Sequence, residues 1–204
     1  MLTKKELQII ELFRKNIFSD FTILETMKKL GTKSYSWTYN SIKKLQKEDI
    51  ILIERKGQSQ LCRINLHNQK TIAYLGLLEE LNALEKNIPN FKKISELMPL
   101  DFHILIITGS YVDKKFNKES DLDVVVIIDS ENEKKWILNK LKNEGDLMIP
   151  QLHPYVFTRK EFLEMLTNKE ENYGKEIDKK HLILGGAELF FKILREAVSH
   201  GYKR

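Results

Sequence analysis

The chain lacks the features that stabilise secreted or membrane-spanning proteins. It has a single cysteine in 204 residues, Cys62, so no internal disulfide can form. Its longest apolar runs have the length of strands, and no apolar segment of a secretory signal follows Met1. Internal repeats and low-complexity linkers are also missing. These absences exclude a disulfide-stabilised scaffold and a transmembrane segment, and we expect a cytoplasmic protein.

The composition is that of a folded chain with an uneven charge distribution. Charged residues make up 31% and hydrophobic residues 42% of the sequence, which excludes a disordered protein. Residues 1–66 contain 13 Lys and Arg against 7 Asp and Glu, whereas the remainder contains 21 against 22. A local basic excess favours nucleic acid as a partner of the amino-terminal part.

The most informative motif is Gly109-Ser110, followed after ten residues by Asp121-Leu122-Asp123. An apolar run ends just before the Gly-Ser pair and a second one starts at the carboxylates, so the pattern predicts two strands joined by a tight turn and a charged loop. Side chains alternate along a strand, which places Asp121 and Asp123 on one face, where they can hold a divalent metal ion.

This segment resembles the signature of the DNA polymerase beta-like nucleotidyltransferases, in particular their minimal group. The resemblance implies a mixed sheet with helices on one side, two metal ions (Mg²⁺ or Mn²⁺), and transfer of a nucleoside monophosphate from an NTP with loss of pyrophosphate. It further implies that Gly109 and Ser110 hold the triphosphate and that Asp121 and Asp123 are the catalytic metal ligands. Many family members carry Arg and Gly in the loop after the Gly-Ser turn, where this chain has Asp113 and Lys114. Lys114 is a candidate to supply the positive charge beside the triphosphate instead.

The chain departs from the family pattern at one further position. The family usually carries a third carboxylate on the next strand, and the corresponding run, DLMIPQLHPYVFT, has Gln151 and His153 in its middle instead. Asp146 lies at the start of this run and is either the third carboxylate, if the strand register is shifted, or a residue of a solvent-exposed turn, which its neighbour Gly145 favours. His153 is either a base, a nitrogen ligand or a hydrogen-bonded structural residue.

The amino-terminal part resembles a winged helix. Thr3 and Glu6 form the pattern of a capping box, a second helix is predicted from Phe21 to Leu30, and Ser34 is placed to cap a third. Residues 50–52 and 61–64 then read as strands around a glycine-containing basic turn. A winged helix inserts its third helix into the major groove of DNA. The residues that this arrangement offers to DNA are Ser36, Trp37, Tyr39, Asn40, Lys43, Lys44, Arg55 and Lys56.

We therefore predict an α+β protein: a winged-helix DNA-binding domain at 1–68, connecting helices at 69–100 and a nucleotidyltransferase-like domain at 101–204. In the connection, Ile72, Leu75, Leu78, Leu81 and Leu84 recur every third residue and predict an amphipathic helix. Trp37 and Tyr39 also fit packing against a neighbouring domain or a second subunit.

Three functions remain open at this point. The chain is an enzyme that transfers NMP from NTP to an unknown acceptor, which we favour, or a DNA-binding regulator with a degenerate, nucleotide-sensing domain. The third alternative is an antitoxin-like interaction protein that binds a small helical partner or a second copy of itself.

Overall fold

The computed structural model describes residues 2–98, 102–113, 115–117 and 120–204. The chain divides into two compact units, Met1–Leu78 and Glu79–Arg204. Each unit has its own sheet, one of three strands and one of four. Within the described ranges, no helix has the length and hydropathy needed to cross a membrane.

The first unit contains three complete helices, the first part of a fourth and a three-stranded antiparallel sheet. Its sheet has the order β1-β3-β2, in which β2 and β3 form a hairpin and β1 pairs with β3. In chain order the elements are α1 (Lys4–Lys15), β1 (Phe21–Thr22), α2 (Ile23–Lys29), α3 (Tyr35–Lys47), β2 (Ile51–Lys56) and β3 (Ser59–Ile64).

Side-chain caps fix where these helices begin. Thr3 and Glu6 form the expected capping box of α1, and Ser34 accepts a hydrogen bond from the Trp37 N–H at the start of α3. The second helix begins later than predicted, at Ile23. Phe21 and Thr22 instead pair with β3, and Thr22 caps α2 with its hydroxyl.

Apolar residues from the helices and the hairpin form the core of this unit. Ile10 and Phe13 of α1 and Ile42 and Leu45 of α3 are fully buried. Tyr35, at the first position of α3, is exposed and stacks on Tyr39.

Two helices precede the second sheet, α4 (Gln69–Leu84) and α5 (Phe91–Glu96). The predicted stripe of α4 holds only at its start, because Ile72 and Leu75 are buried whereas Leu81 and Leu84 are about half exposed. At 3.6 residues per turn, each step of three residues rotates by about 60° around the helix, so a repeat of three drifts off one face.

The second unit is built on a mixed four-stranded sheet with the order β6-β5-β4-β7. Strands β5 and β6 are parallel, and the other two pairs are antiparallel. The elements are β4 (Ile104–Ile107), a 3₁₀ turn (Gly109–Tyr111), β5 (Leu122–Ile128), α6 (Glu131–Gly145), β6 (Leu152–Thr158), α7 (Arg159–Thr167), α8 (Tyr173–Lys179), β7 (Leu182–Gly185) and α9 (Ala187–Ser199).

Helices cover both faces of this sheet, rather than the one face that the family resemblance implies. Val124 and Val126 pack with Ile137 and Leu141 of α6 in one buried cluster. Val125 points to the opposite face and is also fully buried. On that face, α7 contacts β5 and α9 contacts β4. Strand β4 is therefore apolar along its whole length and β5 is apolar from Val124 to Ile128, so only the ends of these strands are available for polar chemistry.

Candidate active site

The loop after β4 and the start of β5 meet at a glycine. Gly109 has a φ of +73°, and a β-carbon built on it would lie 2.1 Å from Oδ2 of Asp123. The Thr108 N–H donates a hydrogen bond of 3.1 Å to the Asp123 carbonyl oxygen, which holds the two segments together. The left-handed conformation favours glycine, and a side chain at this position would force the Asp123 carboxylate to move.

Asp123 is the second residue of β5, and Asp121 lies directly before the strand begins, so a common face for the two carboxylates stays a prediction. Leu122 between them is fully buried in the core, Asp123 is partly buried, and Asp121 is exposed. Burial raises the pKa of Asp123 above its ordinary value, and the negative charge of Asp121 raises it further. Asp121 is therefore close enough to act on Asp123 electrostatically.

A histidine occupies the position beside Asp123 on the neighbouring strand. In the parallel register of β5 and β6, Asp123 pairs with His153, whose Nδ1 lies 3.3 Å from Oδ1 of Asp123. The same Nδ1 lies 3.3 Å from the Tyr155 hydroxyl. Asp146 caps the C-terminus of α6, where it accepts a hydrogen bond of 2.9 Å from Gln151. The adjacent strand thus offers an imidazole, and not a carboxylate, to Asp123.

The donor set suits one kind of metal ion. Across the part of the chain that the structure describes, no group of three or more His, Cys, Asp or Glu is arranged to hold a metal. Two carboxylates two residues apart nevertheless match Mg²⁺, which takes few protein ligands and completes its shell with water and phosphate oxygens. The residues therefore fit a metal that binds together with a nucleotide.

The spacer between the two halves of the motif is folded back on itself. The rings of Tyr111 and Phe116 stack in parallel with their centroids 4.4 Å apart, and the Tyr111 hydroxyl donates to the Ser120 carbonyl oxygen. Ser120 Oγ accepts a hydrogen bond of 2.9 Å from the Asn117 N–H. Lys114, the third predicted nucleotide-binding residue, lies outside the described residues.

A cleft of about 620 Å³ opens beside the Gly-Ser turn. Three of its lining residues, Gly109, Ser110 and Asp123, were predicted from the sequence. The other lining residues come from the loop after β4, from β6 and from the segment around α8. They are Thr108, Asp113, Lys115, Tyr155, Tyr173, Glu176, Lys179 and Lys180. A smaller cavity of about 220 Å³, near α9, contains none of the predicted site residues.

The residues that sequence reasoning missed give the cleft its charge and its aromatic wall. The centroids of Tyr155 and Tyr173 lie 4.8 Å apart, and burial raises the pKa of Tyr173 well above its ordinary value. Lys179 pairs with Glu171 at 2.7 Å, and Lys180 pairs with Asp113. The only sequence signal for these cations is a Lys-Lys pair ahead of a short apolar run.

The predicted DNA-binding residues lie on α3 and at the end of β2 in the first unit. Ser36, Tyr39 and Asn40 are exposed and Trp37 is half-buried. Lys44 is held by Glu6, with 2.9 Å between Nζ and Oε1.

The three other cations predicted to bind DNA are Lys43, Arg55 and Lys56. Lys43 donates a hydrogen bond of 3.0 Å to Gln46, and Arg55 donates one of 3.3 Å to the Gly57 carbonyl oxygen. Arg55 and Lys56 are both exposed where β2 ends.

One comparison with known proteins gives a match within the second unit. The family model described as nucleotidyltransferase domain matches residues 104–195, from the first residue of β4 into α9. The match supports a nucleotidyltransferase domain in this part of the chain, and with it a general nucleotidyltransferase function. No curated protein and no solved structure matches the chain.

Proposed function

We propose that the second unit is a metal-dependent nucleotidyltransferase that transfers NMP from NTP to an acceptor. The contact between Gly109 and Asp123 carries this proposal, since the Gly-Ser turn lies directly against the Asp123 carboxylate. In-line phosphoryl transfer depends mainly on positioning and on charge neutralisation, which such a site supplies.

Each predicted residue has a role in this reaction. Gly109 and Ser110 direct backbone N–H groups at the triphosphate, and Lys114 belongs to the same proposal. Asp121 and Asp123 hold Mg²⁺ or Mn²⁺. The bound metal supplies positive charge to the phosphate oxygens. The cleft beside Asp123 leaves room for the acceptor, whose chemical class stays open.

A binding and labelling experiment tests the enzyme. Each of the four NTPs, labelled at the α-phosphate, is incubated with the protein in Mg²⁺ or Mn²⁺, and both retention of the nucleotide and transfer of label to protein or nucleic acid are measured. We expect at least one NTP to bind, and we expect binding and transfer to be lost in Asp121→Asn and Asp123→Asn.

Asp129→Asn is the matched control, because Asp129 lies just beyond the other end of β5 and is exposed. It removes the same charge from the same strand. Binding that persists in all three variants would contradict the proposed site.

For the first unit we propose a winged-helix DNA-binding domain at 1–68, joined by helices at 69–100 to the transferase domain at 101–204. The order of three helices and a hairpin supports it, and so does the local basic excess. In this proposal α3 enters the major groove, where Asn40 is placed to contact an adenine edge. Lys43, Arg55 and Lys56 neutralise phosphates. We also propose a cytoplasmic location, where the single cysteine stays reduced.

The salt dependence of DNA binding tests this part. Arg55→Ala and Lys56→Ala should each lower the slope of log K against log salt by about 1, as the loss of one phosphate contact does. Lys44→Ala is the comparison. Since Lys44 pairs with the buried Glu6, its loss should reduce thermal stability more than DNA affinity. Slopes that are unchanged in all variants would argue against a DNA contact by the hairpin.

One observation favours a second function, a DNA-binding regulator whose transferase-like domain only senses nucleotide. His153 takes the position beside Asp123 where the family usually has its third carboxylate. If this exchange removes catalysis, NTP with Mg²⁺ will change DNA affinity while no label is transferred to any acceptor.

A further inference from the structure

Lys180 lies beside the Gly-Ser turn although seventy residues separate them in sequence. The Thr108 hydroxyl donates a hydrogen bond of 2.9 Å to the Lys180 carbonyl oxygen, and Thr108 directly precedes Gly109. The pairing of β7 with β4, in which Ile107 is opposite Leu182, brings Lys180 to this end of the sheet. Its backbone is therefore fixed at the mouth of the cleft.

The ammonium group of Lys180 is engaged by a carboxylate from the motif's own loop. Its Nζ is bonded to Oδ2 of Asp113, four residues after Gly109, and both residues line the cleft. The pair lowers the pKa of Asp113 below its ordinary value, and the charge of Lys115 adds to the effect. Asp113 is ionised at neutral pH, so it presents a negative charge where a triphosphate would enter.

We propose that Lys180 is a triphosphate-binding residue and that Asp113 competes with the nucleotide for it. The inference rests on the proposed nucleotidyltransferase function and names the cation that this site offers to its substrate. In the nucleotide-free protein the Asp113 carboxylate neutralises Lys180. The β- and γ-phosphates of an NTP displace the carboxylate and take its place on Nζ.

The charges around the cleft explain why this competition matters. The cleft is lined by Lys115, Lys179 and Lys180 and by three carboxylates, Asp113, Asp123 and Glu176, so it carries no net positive charge. Asp123 has a place in the metal site, whereas the described contact of the Asp113 side chain is with Lys180. Removing the charge of Asp113 gives the cleft a net positive charge without removing a metal ligand.

Binding of a non-hydrolysable ATP analogue in Mg²⁺, measured by calorimetry at low salt, tests the proposal. Asp113→Asn should bind about fivefold tighter than the wild type, and the gain should shrink as salt is raised. Lys180→Met should bind at least about fivefold more weakly. In the double variant Asp113→Asn/Lys180→Met, the gain in affinity that Asp113→Asn gives on its own should vanish, since Asp113 acts through Lys180.

Glu196→Gln is the matched control for a general charge effect. Glu196 pairs with Arg159 at 2.5 Å in the same unit, and both residues line the smaller cavity, away from the Gly-Ser turn. This variant removes the same charge and should leave the affinity within about twofold of the wild type.

The possible failures are distinguishable. If the wild type binds the analogue but Asp113→Asn binds it equally or more weakly, the competition is refuted while the nucleotide site stands. If the double variant keeps the full gain, Asp113 acts independently of Lys180, which also overturns the proposal. If neither the wild type nor any variant binds the analogue, the proposed function fails, and this inference fails with it.

Discussion

Gly109 and Asp123 are in contact across the candidate active site, where a β-carbon on Gly109 would lie 2.1 Å from Oδ2 of the carboxylate. The backbone of the turn and the proposed metal ligand thus occupy adjoining space with nothing between them. In the proposed function, Asp123 would hold the metal ion beside the triphosphate, where the ion would supply positive charge.

Gly109→Ala should cost stability and abolish nucleotide binding. The positive φ alone costs a residue with a β-carbon about 1–2 kcal/mol, and the clash forces Asp123 to move. We expect the free energy of unfolding to fall by at least this amount and NTP affinity to fall more than about tenfold, measured by denaturant titration and calorimetry.

Gly201→Ala separates these two effects. Gly201 has a φ of +92° in the same unit, and a β-carbon there would meet nothing within 4 Å. It should show the conformational cost of about 1 kcal/mol while binding NTP as the wild type does. Equal losses of NTP affinity in both variants would mean that nucleotide binding does not depend on the contact between Gly109 and Asp123.

Asp123→Asn should stabilise the metal-free protein at neutral pH. Because burial raises the pKa of Asp123 in the folded state, its contribution to stability is present below the ordinary value of 3.8 and is lost as the pH rises through the raised pKa. Asparagine cannot ionise and avoids this loss.

Thermal unfolding measured from about pH 3 to about pH 8 checks the sign of this effect on stability. The melting temperature of Asp123→Asn should exceed that of the wild type at the upper end and converge with it in acid. Asp129→Asn, on the exposed end of the same strand, should change little at any pH. A variant that is less stable than the wild type at neutral pH would show that Asp123 is stabilised by its contact with His153.

Arg204→Met should destabilise the second unit strongly. Asp178, on α8, is fully buried and bonded to Arg204 Nε at 2.6 Å and to the Tyr202 hydroxyl at 2.7 Å. Removing the guanidinium leaves a buried carboxylate without its counter-charge, which costs about 3 kcal/mol. Denaturant unfolding of the variant measures this cost.

The exposed pair of Arg159 and Glu196 provides the comparison. Arg159→Met breaks an ion pair of similar length at the surface, which should cost less than about 1 kcal/mol. If Arg204→Met and Arg159→Met lower the free energy of unfolding by the same amount, burial does not set the strength of the interaction between Asp178 and Arg204.

The local part of the site could be predicted from the sequence because its members are close in the chain. Gly109, Ser110, Asp121 and Asp123 lie within one strand-turn-strand segment, where turn chemistry and alternation decide which way side chains point. The helix caps at Thr3 and Ser34 are local in the same sense. Whether Asp121 and Asp123 bind a metal stays a prediction.

The rest of the cleft depends on pairings that no local pattern specifies. Strand β7 has only four residues, and its pairing with β4 brings Lys180 to the turn. The partnership of His153 with Asp123 follows from the parallel register of β5 and β6. Similarly, α4 was predicted as one continuous stripe, although its outer leucines are exposed.

Equilibrium binding of α-labelled NTP in Mg²⁺ or Mn²⁺ is the most direct test of a nucleotide site between the Gly109 turn and the carboxylates of β5. We predict metal-dependent binding in the wild type and in Asp129→Asn, and its loss in Gly109→Ala, Asp121→Asn and Asp123→Asn. Binding of equal strength in all five proteins, or binding that is indifferent to the metal, would contradict the account.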